Sequence, residues 1–120
     1  MRHALFTLAL AATACSTDAG KACSTLAAAG VNATVLDKAG QKICNASVMA
    51  MAGNTMEALQ LMTGATTTDC RYVGLYEKPG TWVIHATGGS LPADLTQTVT
   101  VGMDAEGCHV VGQNVTLQVK

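Results

Sequence analysis

Five cysteines, three histidines and a Met-Ala-Met triplet are the residues with the most chemical reach in this chain of 120. Cys108 stands directly before His109. A thiolate next to an imidazole is a nucleophile, because the imidazole stabilises the ionised sulfur. Neighbours on a strand point to opposite faces, however, so this adjacency does not make a contact. Met49 and Met51 share one face of any strand they occupy, and His85 and His109 offer imidazoles. Thioether with imidazole suits copper. The same methionines would also serve as flexible core filling, which a chain poor in aromatics needs. Asp37, Asp69, Asp94, Asp104 and Glu106 fall in turn-like contexts and read as solvated turn residues. A calcium site needs several oxygens converging at close spacing, and Asp104-Ala-Glu106 is too thin. There is no Gly-x-Ser-x-Gly elbow, phosphate loop or His-Glu-x-x-His pair. The residues therefore predict no catalytic set, no cofactor and no metal site. A copper-binding β-sandwich using Met and His is the alternative.

Composition narrows the partners. The net charge is -1, against the basic face that a nucleic-acid binder needs to displace counterions. Aromatics are 3%, so stacking platforms for bases or sugars are scarce. Hydrophobic residues at 49% and charged residues at 12% exclude long disorder.

The first fifteen residues read as an address. Arg2 gives a positive start, and Ala4 to Ala14 is apolar except for Thr7 and Thr13. As a helix these eleven residues would rise only about 16 Å, too short for a span of about 30 Å. Ala12-Thr13-Ala14 is a small-x-small cleavage signal directly before Cys15. Residues 1–14 thus read as a secretory signal peptide, with a short buried helix as the other reading. The segment Leu10-Ala-Ala-Thr-Ala-Cys15 resembles the lipobox of bacterial lipoproteins, with Ala12 where that family prefers Leu. The resemblance implies a lipid on Cys15, residues 15–29 as lipidated N-terminus and tether, and a membrane as partner. Ser16 after the cysteine implies sorting to the outer membrane, on its periplasmic or cell-surface side. Cleavage by an ordinary signal peptidase would leave Cys15 as a free thiol. The odd cysteine count favours lipid: with Cys15 acylated, Cys23, Cys44, Cys70 and Cys108 remain for two disulfides.

Something must position these residues, and the chain beyond residue 30 reads as short strands. Val31, Ala33 and Val35 alternate with polar residues. Ile43 to Ala52 is nearly continuous in apolar residues. Met56 to Met62 reads as a strand, with a short helix as the alternative. Tyr72 to Tyr76, Trp82 to Thr87, Thr98 to Met103 and Val110 to Val119 follow, separated by Gly and Pro turns. Seven strands at this spacing predict a β-sandwich with Val35, Val48, Ala50, Val73, Trp82, Ile84, Val99, Val101, Val115 and Leu117 in its core.

Two stretches carry a further resemblance. Val35-Leu-Asp-Lys-Ala-Gly-Gln-Lys-Ile-Cys-Asn-Ala-Ser-Val48 looks like the opening of carboxypeptidase regulatory-like domains. Tyr72-Val-Gly-Leu-Tyr-Glu-Lys-Pro-Gly-Thr-Trp-Val83 resembles their Pro-Gly-Thr-Tyr-x-Val hallmark, with Trp82 in the Tyr place. The resemblance implies that residues 30–120 form a seven-stranded antiparallel Greek-key sandwich, transthyretin (prealbumin)-like. It also implies a non-catalytic structural or adhesion module with a protein or peptide partner. Strand direction then orders the cysteines. With successive strands antiparallel, Cys44 and Cys70 both lie at the top of the sandwich, while Cys23 and Cys108 lie at the bottom. The expected bridges are Cys44–Cys70 and Cys23–Cys108.

Overall fold

A computed structural model describes residues 23–64, 66 and 68–120. Their regular elements are all strands: β1 (Val31–Leu36), β2 (Ser47–Ala52), β3 (Thr55–Ala58), β4 (Gln60–Thr63), β5 (Cys70–Gly74), β6 (Gly80–Thr87), β7 (Leu95–Val101) and β8 (Gln113–Gln118). They form two four-stranded sheets, ordered β4-β5-β1-β8 and β3-β2-β6-β7. Alternation explains the layers. Val31, Ala33 and Val35 of β1 face the core, as do Val48 and Ala50 of β2, and Trp82, Ile84 and Ala86 of β6. The alternate positions are partly or fully exposed, Asn32, Thr34, Met49, Met51, Val83 and His85 among them.

Two expectations need correction. The strands number eight, because the run Met56 to Met62 is divided between the sheets. β3 pairs with β2, β4 pairs with β5, and Leu59 between them is buried. The Leu59 N–H donates to the Val48 carbonyl at 2.8 Å, which holds the crossover against β2. One apolar residue thus pins the chain as it leaves one sheet for the other. The architecture is also not wholly antiparallel. β1 and β8 run parallel from Val31↔Gln113 to Leu36↔Gln118, while the other strand pairs are antiparallel.

Of the expected core, only Val99 is partly exposed; the other nine are buried. Tyr72 and Leu75 join them and are among the largest fully buried side chains. The Tyr72 hydroxyl donates to the Ile43 carbonyl at 3.0 Å and accepts from the Ala46 N–H at 3.1 Å. A buried phenol must find such partners, and here they fasten the β1–β2 connection onto the sheet. Burial raises the Tyr72 pKa above its ordinary value, opposed by the Ala46 hydrogen bond. Gly30 lets the chain enter β1. A Cβ there would lie 2.7 Å from the Leu75 carbonyl oxygen, to which the Gly30 N–H donates at 3.1 Å.

Candidate functional site

The expected disulfides are present, one at each end of the sandwich. Cys44–Cys70 has a Cα–Cα distance of 5.7 Å and closes the top, where the β1–β2 connection meets β5. Cys23–Cys108 has a Cα–Cα distance of 5.4 Å and joins the lead-in segment to the β7–β8 loop at the bottom. Both fall in the range for unforced bridging. Cys108 is therefore a bridge sulfur and does not form a thiolate–imidazole pair with His109. Residues 1–22, Cys15 among them, lie outside the described residues, and with them the expected signal peptide and the expected lipid site.

The bottom end holds the densest polar network. Glu77 follows β5 in a left-handed conformation, φ 54°, which turns its carboxylate back under the domain. Its Oε2 accepts from the Ala28 N–H at 2.9 Å and pairs with His109 Nδ1. Its Oε1 accepts from the Val110 N–H at 3.0 Å. One carboxylate thus ties the lead-in segment, the β5–β6 turn and the start of the path into β8 together. The Ala28 N–H and the His109 imidazole hold the Glu77 pKa below the usual carboxylate value. Reciprocally, the Glu77 hydrogen bond raises the His109 pKa, against partial desolvation. Asp104 organises the adjacent loop, accepting from the Cys108 N–H at 2.9 Å and the His109 N–H at 3.2 Å. His109 Nε2 is buried without a hydrogen-bond partner. Beside it lies an open groove of about 410 Å³, lined in part by Cys23, Leu26, Pro79, Met103 and His109.

Glu57 performs a similar task one turn away. Its Oε2 accepts from the Leu75 N–H at 2.8 Å, and its Oε1 pairs with Lys78 Nζ. Desolvation is the largest single influence on Glu57 and opposes ionisation. The Lys78 ammonium and the Leu75 N–H together outweigh it, so the pKa is lowered. Neither Glu57 nor Glu77 stood out in the sequence, where one falls in a helix-prone run and the other directly before Lys-Pro-Gly. Several of their partners are backbone N–H groups, which leave no residue pattern.

The turn carboxylates are structural. Asp37 Oδ1 accepts from the Gln41 N–H at 2.8 Å, and Asp69 pairs with Lys42 at 2.8 Å. Asp94 Oδ2 lies 3.2 Å from His85 Nε2. Among the described residues, no group of three or more His, Cys, Asp or Glu is arranged to hold a metal.

The methionines overturn the core-filling expectation. Met49 and Met51 lie on the outer face of their sheet and form no part of the hydrophobic core. The inward positions of β2 belong to Val48 and Ala50. Register sets His85 of β6 opposite Met49, and Met56 of β3 opposite Met51. His109 is not part of this face.

No family model and no curated protein matches this chain.

Proposed function

We propose that this chain is a non-catalytic exported lipoprotein module. A lipid on Cys15 tethers a transthyretin-like, carboxypeptidase regulatory-like sandwich to the outer membrane, on its periplasmic or cell-surface side. There it serves as a structural or adhesion domain with a protein or peptide partner. The observation that carries this reading is the Cys23–Cys108 bridge. Two disulfides suit an oxidising compartment. This one also fastens the chain to the domain only eight residues after Cys15. Fully extended, eight residues reach at most about 29 Å. A lipid on Cys15 would hold the bottom end of the sandwich within that distance of the bilayer. Leu26 is 78% exposed and Met103 45% exposed at that same end, beside the bridge. Exposed apolar side chains next to a membrane lose contact with water rather than remaining in it.

The non-catalytic part of the reading rests on how the polar groups are used. Glu57 and Glu77 are committed to backbone N–H groups, and Cys108 to a disulfide. The Greek-key and transthyretin-like assignment is supported by two facing sheets in which the first and last strands are neighbours.

The test is export of the full chain in a bacterium with two membranes, comparing it with Cys15→Ser. The native protein should sediment with membranes and carry acyl chains on Cys15 in its intact mass. The variant should appear in the soluble exported fraction with both disulfides formed. A native protein whose Cys15 is unacylated would overturn the anchor.

A further inference from the structure

The solvent side of the β3-β2-β6-β7 sheet is chemically uneven. Along β7 its alternate residues Thr96, Thr98 and Thr100 are polar and suited to water. Across β2 and β3 the corresponding positions include Met49, Met51 and Met56. Met56 is 61% exposed. Met49 and Met51 are partly exposed, and a thioether gains little from water, so three on one outer face call for another explanation than core packing.

The register brings two of them together with one imidazole. Met49 faces His85 across the β2–β6 pair, and Met51 faces Met56 across β2–β3. Directly opposed residues have Cβ atoms about 4.5–5.5 Å apart. Met49 and Met51 are two residues apart on one strand, about 7 Å. Met49, Met51 and His85 therefore raise two sulfur donors and one nitrogen donor from a patch about 5 by 7 Å, while Met56 lies on the far side of β2, about 12 Å from His85. Methionine has three rotatable bonds, enough for the two sulfurs to converge above that patch.

His85 is already oriented. Its Nε2 lies 3.2 Å from Asp94 Oδ2. With Nε2–H donating to that carboxylate, Nδ1 keeps its lone pair for a ligand. A carboxylate on the far nitrogen is the usual support of a metal-binding imidazole. The other near neighbours on the face, Ala58 and Val83, bring no charge. Neutral thioethers with an imidazole give a soft donor set. Such a set favours Cu(I) over Zn(II), calcium or magnesium, which take thiolate, imidazole or oxygen donors.

We propose that Met49, Met51 and His85 form a surface site for one Cu(I) ion, with Asp94 as the positioning residue for His85. This site is on the sheet face, not at the bridged end, and does not depend on the membrane anchor.

The experiment uses the exported Cys15→Ser chain, so that no free thiol competes. It is titrated with Cu(I) against a chromophoric Cu(I) chelator, without oxygen. Ascorbate keeps the metal reduced and leaves the disulfides intact. One equivalent should be withdrawn from the chelator. Met49→Leu and Met51→Leu should each weaken binding at least tenfold, and together should abolish it. His85→Asn should also weaken it. Because these side chains point outward and Leu has similar volume, the unfolding midpoints of the Met→Leu variants should not move. X-ray absorption of the complex should show sulfur scattering consistent with thioethers. No withdrawal of copper, full binding in the Met49→Leu/Met51→Leu variant, or equally tight Zn(II) binding would each overturn the proposal.

Discussion

Opening the two disulfides one at a time separates what the covalent frame contributes from what the core contributes. Cys23–Cys108 closes a sequence separation of 85 residues, and Cys44–Cys70 one of 26. Cross-linking limits the conformations of the unfolded chain, and a longer loop limits them more. The chain-entropy relation gives about 4.6 kcal/mol for the long bridge and about 3.5 kcal/mol for the short one. Opening the long bridge by Cys23→Ser/Cys108→Ser should therefore cost about 1 kcal/mol more than opening the short one by Cys44→Ser/Cys70→Ala. Local packing works against this order. Cys70 is buried, whereas Cys23 is exposed and Cys108 only partly buried, so removing sulfur leaves the larger void at the short bridge. Urea unfolding at pH 6 without reductant measures both variants. If the short bridge costs as much as the long one or more, packing around Cys70 decides the matter and the loop argument fails. The sum, about 8 kcal/mol, is comparable with the entire stability of an ordinary domain of about 5–15 kcal/mol. A chain lacking both bridges should then be largely unfolded at 37 °C. Near-native stability without cysteines would remove the physical reason for an oxidising compartment.

Two further outcomes follow from the core and the bottom end. Ile84 is 0% exposed in β6, between β2 and β7. Ile84→Ala should cost about 2–5 kcal/mol in urea unfolding, and a negligible change would contradict its inward register. Stability should also peak on the acid side of neutrality, through Glu77 and His109, with Asp104 as the other carboxylate facing the imidazole. The Glu77 pKa is lowered in the fold, so its contribution is present above the unfolded value of about 4.3 and is lost as pH falls through the folded value. The His109 pKa is raised, so its contribution is present below about 6.5 and is lost as pH rises through the folded value. Both operate between about pH 4.5 and 6.5. The urea midpoint should decline on either side of that window. His109→Gln should flatten the alkaline decline, and an unchanged alkaline limb in that variant would refute the coupling.

Legibility in the sequence followed periodicity. Val31, Ala33 and Val35, then Trp82, Ile84 and Ala86, alternate cleanly and are buried as read. The run Met56 to Met62 is apolar enough to be a strand, but its burial comes from Leu59 alone. A crossover between sheets looks, in sequence, like one continuous strand. Tyr72 and Leu75 differ by three positions and are both buried, which strict alternation forbids. Leu75 has φ 58°, and the chain there leaves strand geometry. Met49 and Met51 could be placed on one face from sequence, but not on which face. Only the pairing of β2 with β6 through Val48↔Ala86 and Ala50↔Ile84 sets the methionines outward. The Glu77 network was invisible because two of its three partners are backbone N–H groups.

The parallel pairing of β1 with β8 and the Cys23–Cys108 bridge express one geometric fact. Reading successive strands as alternately up and down makes the first and seventh runs ascend together. The structure makes them neighbours, and with alternating directions they must then be parallel. The split of the third run changes nothing here. β3 is antiparallel to β2 and β4 is antiparallel to β5, so both halves still ascend. Cys23 precedes β1 and Cys108 precedes β8, so parallel neighbours bring both cysteines to the same end. Were β8 reversed beside β1, its entry would lie a strand length away, about 20 Å for six residues. The Cα–Cα distance of 5.4 Å would then be out of reach. The even number of strand-direction reversals between β1 and β8 fixes the lead-in segment at the bottom end of the sandwich. With Cys15 eight residues upstream, it would also fix which end a lipid anchor turns toward the membrane.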